Sequence, residues 1–141
     1  MKQEIKTIFS LPLRVYYEDT DAGGVVYYAN YLRFMERART EWLRTLGVEQ
    51  DELSANQGVI FAVRSAKVDY LRPARFNDSL VVTVALGRHG PASIVFHQEV
   101  RRAQEVLCRG EIRIACIDIK DFSPTPMPES VVARVKEWSQ P

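Results

Sequence analysis

Between Tyr28 and Gly47 the apolar residues Tyr31, Leu32, Met35, Ala38, Trp42 and Leu46 recur at spacings of one, three and four, which predicts a helix with one buried face. Arg33, Glu36, Arg37, Thr40, Glu41 and Arg44 take the opposite side, and Gly47 stands where a left-handed residue would stop the helix. Any fold for this chain must cover that single stripe. The stretch that feeds the helix, residues 16–24, reads Tyr-Tyr-Glu-Asp-Thr-Asp-Ala-Gly-Gly, an acidic loop with paired glycines.

The remaining chain supplies a sheet to do the covering. Residues 1–10 read as a polar lead-in, and 11–17 alternate well enough for a first strand, with Pro12 tolerable near its start. Residues 48–58 are polar, a turn or short helical connector. Strands are expected over 60–70, 79–87, 93–102 and 105–119, punctuated by Pro73 with Asn77-Asp78 and by Gly90-Pro91. Leu80, Val82, Val84 and Leu86 share one face of the second of these. Ile94, Phe96, Gln98 and Val100 share a face of the next, as do Val106, Cys108, Ile112, Ile114 and Cys116 of the last. Pro124, Pro126 and Pro128 end the sheet, and Val131, Val132, Val135 and Trp138 suggest a terminal helix. The order predicts an α+β fold, one curved antiparallel sheet of about five strands on one long helix.

Composition narrows the function. A chain of 141 residues with 46% apolar and 26% charged residues is expected to form one domain over 1–141. A net charge of +1 argues against a nucleic-acid partner. No apolar run reaches the roughly 18 residues of a transmembrane helix, and the N-terminal residues lack the apolar stretch of a signal peptide, so the expectation is cytoplasmic. Cys108 and Cys116 lie eight residues apart on one predicted strand, about 27 Å at about 3.3 Å per residue, too far to bridge.

Four readings fit Asp19-Thr20-Asp21-Ala22-Gly23-Gly24. Aspartates and glycines can simply fill a turn, one Asp capping a helix. A calcium loop starting at Asp19 puts a glycine correctly at Gly24 but lacks a ligand at Gly23 and a glutamate at Asn30. A phosphoryl-transfer pair would want a phosphate cradle and a Mg²⁺ shell that nothing nearby declares. The fourth reading is a catalytic carboxylate. His89 falls in a turn and His97 on a polar strand face, and no Cys-x-x-Cys, His-x-x-x-His or Gly-x-Ser-x-Gly pattern occurs, so neither metal nor other cofactor is expected. Tyr16, Tyr17, Tyr27, Tyr28 and Tyr31 crowd the loop, by default as packing residues.

The stretch from Val15 through Asp19-Thr-Asp-Ala-Gly-Gly-Val-Val-Tyr27 to Tyr31 and Phe34-Met-Glu-Arg-Ala-Arg-Thr-Glu41 resembles hotdog-fold acyl-CoA thioesterases of the 4-hydroxybenzoyl-CoA class, nearest the Tol-Pal-system-associated branch. The likeness continues more loosely through Phe61-Ala-Val-Arg, residues 68–75 and Ala115-Cys-Ile-Asp. Tyr28-Ala-Asn-Tyr31 matches the 4-hydroxybenzoyl type, whereas the nearest branch often has His at position 28. The resemblance implies hydrolysis of acyl-CoA with Asp21 as nucleophile or general base and the backbone N–H of Tyr28 as oxyanion donor. Gly23, Gly24, Val25, Tyr27 and Tyr31 would surround the acyl group. Arg64, Lys67 and Arg88, with Arg72, Arg75 and Arg109, are the candidate cations for the CoA phosphates. Asp19 reads as a loop organiser. A homodimer joined sheet edge to sheet edge is expected, paired again into a tetramer as the family implies, with the site at the subunit boundary. The rival is a non-catalytic module of the same fold that holds an acyl chain or docks an acyl-carrier protein through Arg33, Arg37 and Arg44. A hotdog dehydratase would want a histidine near the helix, and residues 16–47 hold none.

Overall fold

In a computed structural model that describes residues 5–139, five strands form one antiparallel sheet against which the long helix lies. The elements run β1 (Thr7–Arg14), α1 (Asn30–Thr45), α2 (Gln50–Gln57), β2 (Val59–Tyr70), β3 (Ser79–His89), β4 (Ser93–Arg102), β5 (Glu105–Asp118) and α3 (Glu129–Ser139). Their order across the sheet is β1-β3-β4-β5-β2. The α+β expectation therefore holds, and it gains a topology: α1 and α2 carry the chain from one sheet edge to the other, and β1 and β2 are left as the two edges. The first four residues of the expected lead-in lie outside the described residues.

The core sits between α1 and one face of the sheet. Phe34, Met35, Ala38 and Trp42 are fully buried against Leu80, Val82, Ile94, Phe96, Ile112 and Cys116. Each large side chain taken from water there contributes about 1.5–3 kcal/mol. Helix and sheet approach closely at Gly110, where a Cβ would stand 2.8 Å from the Met35 sulfur. Cys108 and Cys116 are free and buried, as their spacing required. Val131 and Val135 of α3 are buried, and Trp138 meets Trp42 edge-on at 6.3 Å between ring centroids.

Several boundaries differ from expectation for identifiable reasons. The first strand covers Thr7–Arg14 rather than 11–17, because Ile8 and Phe9 pack on the core while Tyr17 enters a single 3-10 turn. Pro12 pairs with Val81 on this edge strand, where a missing N–H is tolerated. Helix α1 starts at Asn30, not Tyr28, since Asn30 N–H closes a turn onto the Tyr27 carbonyl. Its buried stripe includes Phe34, Arg39 and Leu43, and Leu32 faces outward. In β5 a bulge opposite Val100 and Arg101 turns both Leu107 and Cys108 inward and leaves Val106 half-buried. Gly47 has the left-handed backbone expected of it, and residues 50–57 of the polar connector are helical. No described helix is long and apolar enough to cross a membrane.

Candidate active site

The acidic loop is a small backbone-built hairpin. Asp19 organises its entry: its Oδ2 accepts the Tyr16 N–H at 2.8 Å, and its carbonyl accepts the Tyr27 N–H and the Asn30 side-chain amide. Thr20 pairs with Val26, and the Asp21 N–H reaches the Val25 carbonyl. The turn closes when the Gly24 N–H returns to the Asp21 carbonyl, with Gly24 at φ 78°, a conformation that suits glycine. Asp21 Oδ1 accepts the Gly23 N–H at 2.8 Å, and a Cβ on Gly23 would press within 3.2 Å of that oxygen. The Asp21 carboxylate is exposed and makes no ion pair among the described residues.

The hairpin ends where α1 begins. Tyr27 and Tyr28 precede the helix, and the Tyr28 N–H makes no hydrogen bond among the described residues. Tyr28 stands two residues ahead of Asn30, so its N–H lies just before the donors that the helix start leaves unsatisfied. A second loop, residues 71–78, props the hairpin from below. Val26 N–H donates to the Ala74 carbonyl, Val25 bridges to Arg75, and the Ala74 N–H donates to the Tyr31 hydroxyl at 2.9 Å. Burial pushes the Tyr31 phenol up, and the Ala74 N–H opposes it. Tyr70 joins the cluster, with its ring 5.6 Å from Tyr31 and 6.1 Å from Tyr28. Across the sheet from Tyr70 lies Cys108, whose thiol burial pushes up to about 12, so no thiolate is available beside the loop.

A model of the thioesterase-like superfamily matches residues 15–135. The chain belongs to that superfamily. It is 44% identical over 125 residues to the acyl-CoA thioesterase YbgC of Haemophilus influenzae, covering 89% of this chain and 92% of the relative. To the acyl-CoA thioester hydrolase YbgC of Escherichia coli O157:H7 it is 43% identical over 132 residues, covering 93% and 98%. Among solved structures, a probable thioesterase from Bartonella henselae superposes with a TM-score of 0.80 at 32% identity, over 84% of this chain and 98% of that one. A 1,4-dihydroxy-2-naphthoyl-CoA thioesterase from Synechocystis gives 0.86 at 22% identity over 94% and 98%, a likeness of fold alone. The curved sheet around α1 is thus the hotdog arrangement.

Within one thioesterase chain the loop residues come together and the expected phosphate cations do not. Asp21, Gly23, Gly24, Val25, Tyr27 and Tyr28 share the hairpin, with Tyr31 beneath it. Lys67 stands opposite Glu111 on the sheet face turned away from α1, where Arg109 pairs with Glu99. Arg64 lies at a bulge in the exposed middle of β2. Arg88 is near the end of β3 opposite Ser79, which follows the loop that props the hairpin, about 30 Å along the strand from Ser79 at about 3.3 Å per residue. Arg72 pairs with Glu105. The cation that backbone pairing does set beside the loop is Arg75, whose side chain makes no ion pair among the described residues. Of the arginines on the wet face of α1, Arg44 is engaged by Glu41 and Glu49.

Sequence reasoning missed the support beneath the hairpin. Arg102 donates to the Asp78 and Glu105 carboxylates and to the Pro73 carbonyl, clamping residues 73–78. Burial alone would push Asp78 up, but the Arg75 N–H and the Arg102 guanidinium outweigh it and hold the carboxyl below its usual range. The contact spans 24 residues, and neither residue type in isolation signals it.

Proposed function

We propose that the chain, acting as one domain, hydrolyses acyl-CoA thioesters to free acid and CoA. What carries this reading is that one hairpin at the start of α1 holds Asp21, whose carboxylate is engaged only by the Gly23 N–H among the described residues, and Tyr28, whose N–H is free among them. The activities of the relatives that share most of the chain's length support it. Asp21 attacks the thioester carbonyl carbon directly or takes a proton from water that does so. The carbonyl oxygen, gaining negative charge, lies against the Tyr28 N–H and the positive end of the helix dipole. Collapse of the tetrahedral adduct breaks the C–S bond, and the CoA thiolate leaves without an acid because thiolates are good leaving groups. On the direct route this leaves an acyl–Asp21 anhydride, which water then cleaves to free the acid and restore the carboxylate. The bare backbone at Gly23 and Gly24, with Val25, Tyr27 and Tyr31, borders the acyl group.

The functional unit is a homodimer, and two dimers form the tetramer. Strand β2 is the edge suited to pairing: it runs 12 residues, contains no proline, and exposes Val63 and Tyr70. A neighbour joined there brings its own cations to a site whose own chain leaves Arg64, Lys67 and Arg88 remote. Of the candidate cations, Arg75 is the one whose backbone pairs with the hairpin. The wet face of α1, through Arg33 and Arg37, is where an acyl-carrier protein would dock. Two free buried cysteines fit a reducing, cytoplasmic setting.

The test is thiol release from acyl-CoA esters running from acetyl to palmitoyl and benzoyl. Wild-type protein releases thiol from at least one of them, and Asp21→Asn lowers that rate by at least about two orders of magnitude. A wild-type protein inert on the whole panel would refute the reading.

A further inference from the structure

A second polar site lies inside the fold, away from the acidic hairpin. Arg39, nine residues into α1, is 7% exposed and faces the sheet instead of solvent. At about 1.5 Å rise per residue it sits about 13–14 Å along the helix from Asn30. Its Nη1 donates to the Gln98 side-chain oxygen at 2.9 Å. The Gln98 amide nitrogen in turn donates to the Met35 and Thr83 carbonyls, which uses up its hydrogens. No carboxylate pairs with Arg39 among the described residues. Desolvation lowers its pKa to about 10, with nearby Glu36 opposing, so the guanidinium stays charged at neutral pH. A buried cation held only by a neutral amide is costly and calls for an anionic partner.

Arg39 also lines a cavity. Nε and Nη2 donate to no protein acceptor, and the only sealed side-chain polar atom without a partner among the described residues is Trp42 Nε1. Neither nitrogen is fully sealed, and the cavity that Arg39 lines has a volume of about 100 Å³. Phe61, Val63, Ile94, Phe96 and Ile114 make its walls. Glu36, Thr40 and Gln50 stand among its polar groups, and Glu36 is exposed, with no ion pair to Arg39. The space is smaller than the roughly 150 Å³ that holds a benzene molecule in an engineered core cavity.

We propose that this cavity is a binding site for a small carboxylate with a short apolar stub, seated bidentate on the Nε–Nη2 edge of Arg39. The side-on pair of N–H groups matches the two oxygens of a carboxylate, and Gln98 fixes the fork in place from its other end. The apolar walls accept three or four carbons and would leave a phosphate or sulfate poorly solvated. The ligand is either a free short-chain acid or the far carboxylate of a long acyl group.

The experiment uses the full-length protein labelled with ¹⁵N and isobutyrate as probe, following the Arg39 Nε–H signal. It is expected to shift saturably with isobutyrate and to stay still with isobutyramide or with chloride at equal ionic strength. Isobutyrate should also raise the thermal midpoint, growing with the logarithm of its concentration once the site is mostly filled. Arg39→Lys keeps the charge and most of the stem while losing the fork, and it should weaken that stabilisation at least about tenfold. Arg39→Met should abolish it. Equal responses to acid and amide, or an Arg39→Lys variant that binds isobutyrate within twofold of wild type, would overturn the proposal. None of these readouts depends on hydrolysis. Comparing a long dicarboxylic mono-CoA ester with its monocarboxylic counterpart separates the two sources. A preference for the diacid that disappears in Arg39→Lys assigns the site to the acyl end, and an unchanged ratio alongside isobutyrate binding assigns it to free acid.

Discussion

The hairpin around Asp21 is held by its backbone and leaves its side chains free, whereas the interior around Arg39 and Gln98 is held by side chains and leaves one guanidinium edge free. In the hairpin, Thr20, Asp21, Val25 and Val26 bond through N–H and carbonyl groups, so the side chains of Asp21, Tyr27 and Tyr28 can change without unlacing it. Around Gln98 the reverse holds: one side chain joins Arg39 and Met35 of α1 to Thr83 of β3. Substitutions at the first place should alter chemistry at little cost in stability, and substitutions at the second should do the opposite.

Gln98→Leu should give the largest loss of stability. It leaves a buried guanidinium without its one acceptor, which costs more than the about 1–3 kcal/mol of a stranded neutral group. Urea unfolding measures it, and a loss below about 1 kcal/mol would mean that water or another group already serves Arg39, eroding the contrast. Tyr31→Phe comes next. It strands the Ala74 N–H in a fully buried position, at about 1–3 kcal/mol, and loosens the loop under the hairpin. Hydrogen exchange at Val26, which donates to the carbonyl of the same residue, Ala74, should speed up more than exchange in β4; uniform acceleration would show a global effect instead.

The smallest effect is pH-dependent. Asp78 is held below its ordinary range when folded, so its contribution is present above the unfolded carboxylate pKa near about 4 and fades as pH falls through the lower folded value. Asp78→Asn should therefore be less stable than wild type at neutral pH, with the gap narrowing as pH drops below about 4. A gap that stays constant down to pH 2 would show that the Arg102 clamp draws nothing from the Asp78 charge.

The two places also differ in how far they could be read from sequence. The hairpin was legible because its requirements are local: glycines for a tight turn, an aspartate to organise it, and an amphipathic run to receive it. The strands over 93–102 and 105–118 were legible from alternation, and Gln98 was placed on the buried face by its neighbours Ile94, Phe96 and Val100. Arg39 was not, because an arginine in a helix reads as solvated, and its acceptor lies 59 residues away. Leu32 was drawn into the stripe by residue type, although it stands about 100° round the helix from Tyr31. The helix start was set too early for the same reason, since Tyr28 looks like a first stripe residue yet is 62% exposed. The clamp of Arg102 on residues 73–78 was invisible because it exists only once β4 is folded beside that loop.

The central claim is that Asp21 does chemistry while Asp19, two residues away, builds the loop. The direct measurement is single-turnover thiol release by Asp21→Asn and Asp19→Asn on the best acyl-CoA substrate, with the thermal midpoint taken on the same samples. The account predicts that Asp21→Asn loses at least about two orders of magnitude in rate with its midpoint nearly unchanged. It predicts that Asp19→Asn keeps far more activity and loses about 1 kcal/mol through the weakened bond to the Tyr16 N–H. An Asp21→Asn protein as fast as wild type, or one that loses activity only because it unfolds, would contradict it.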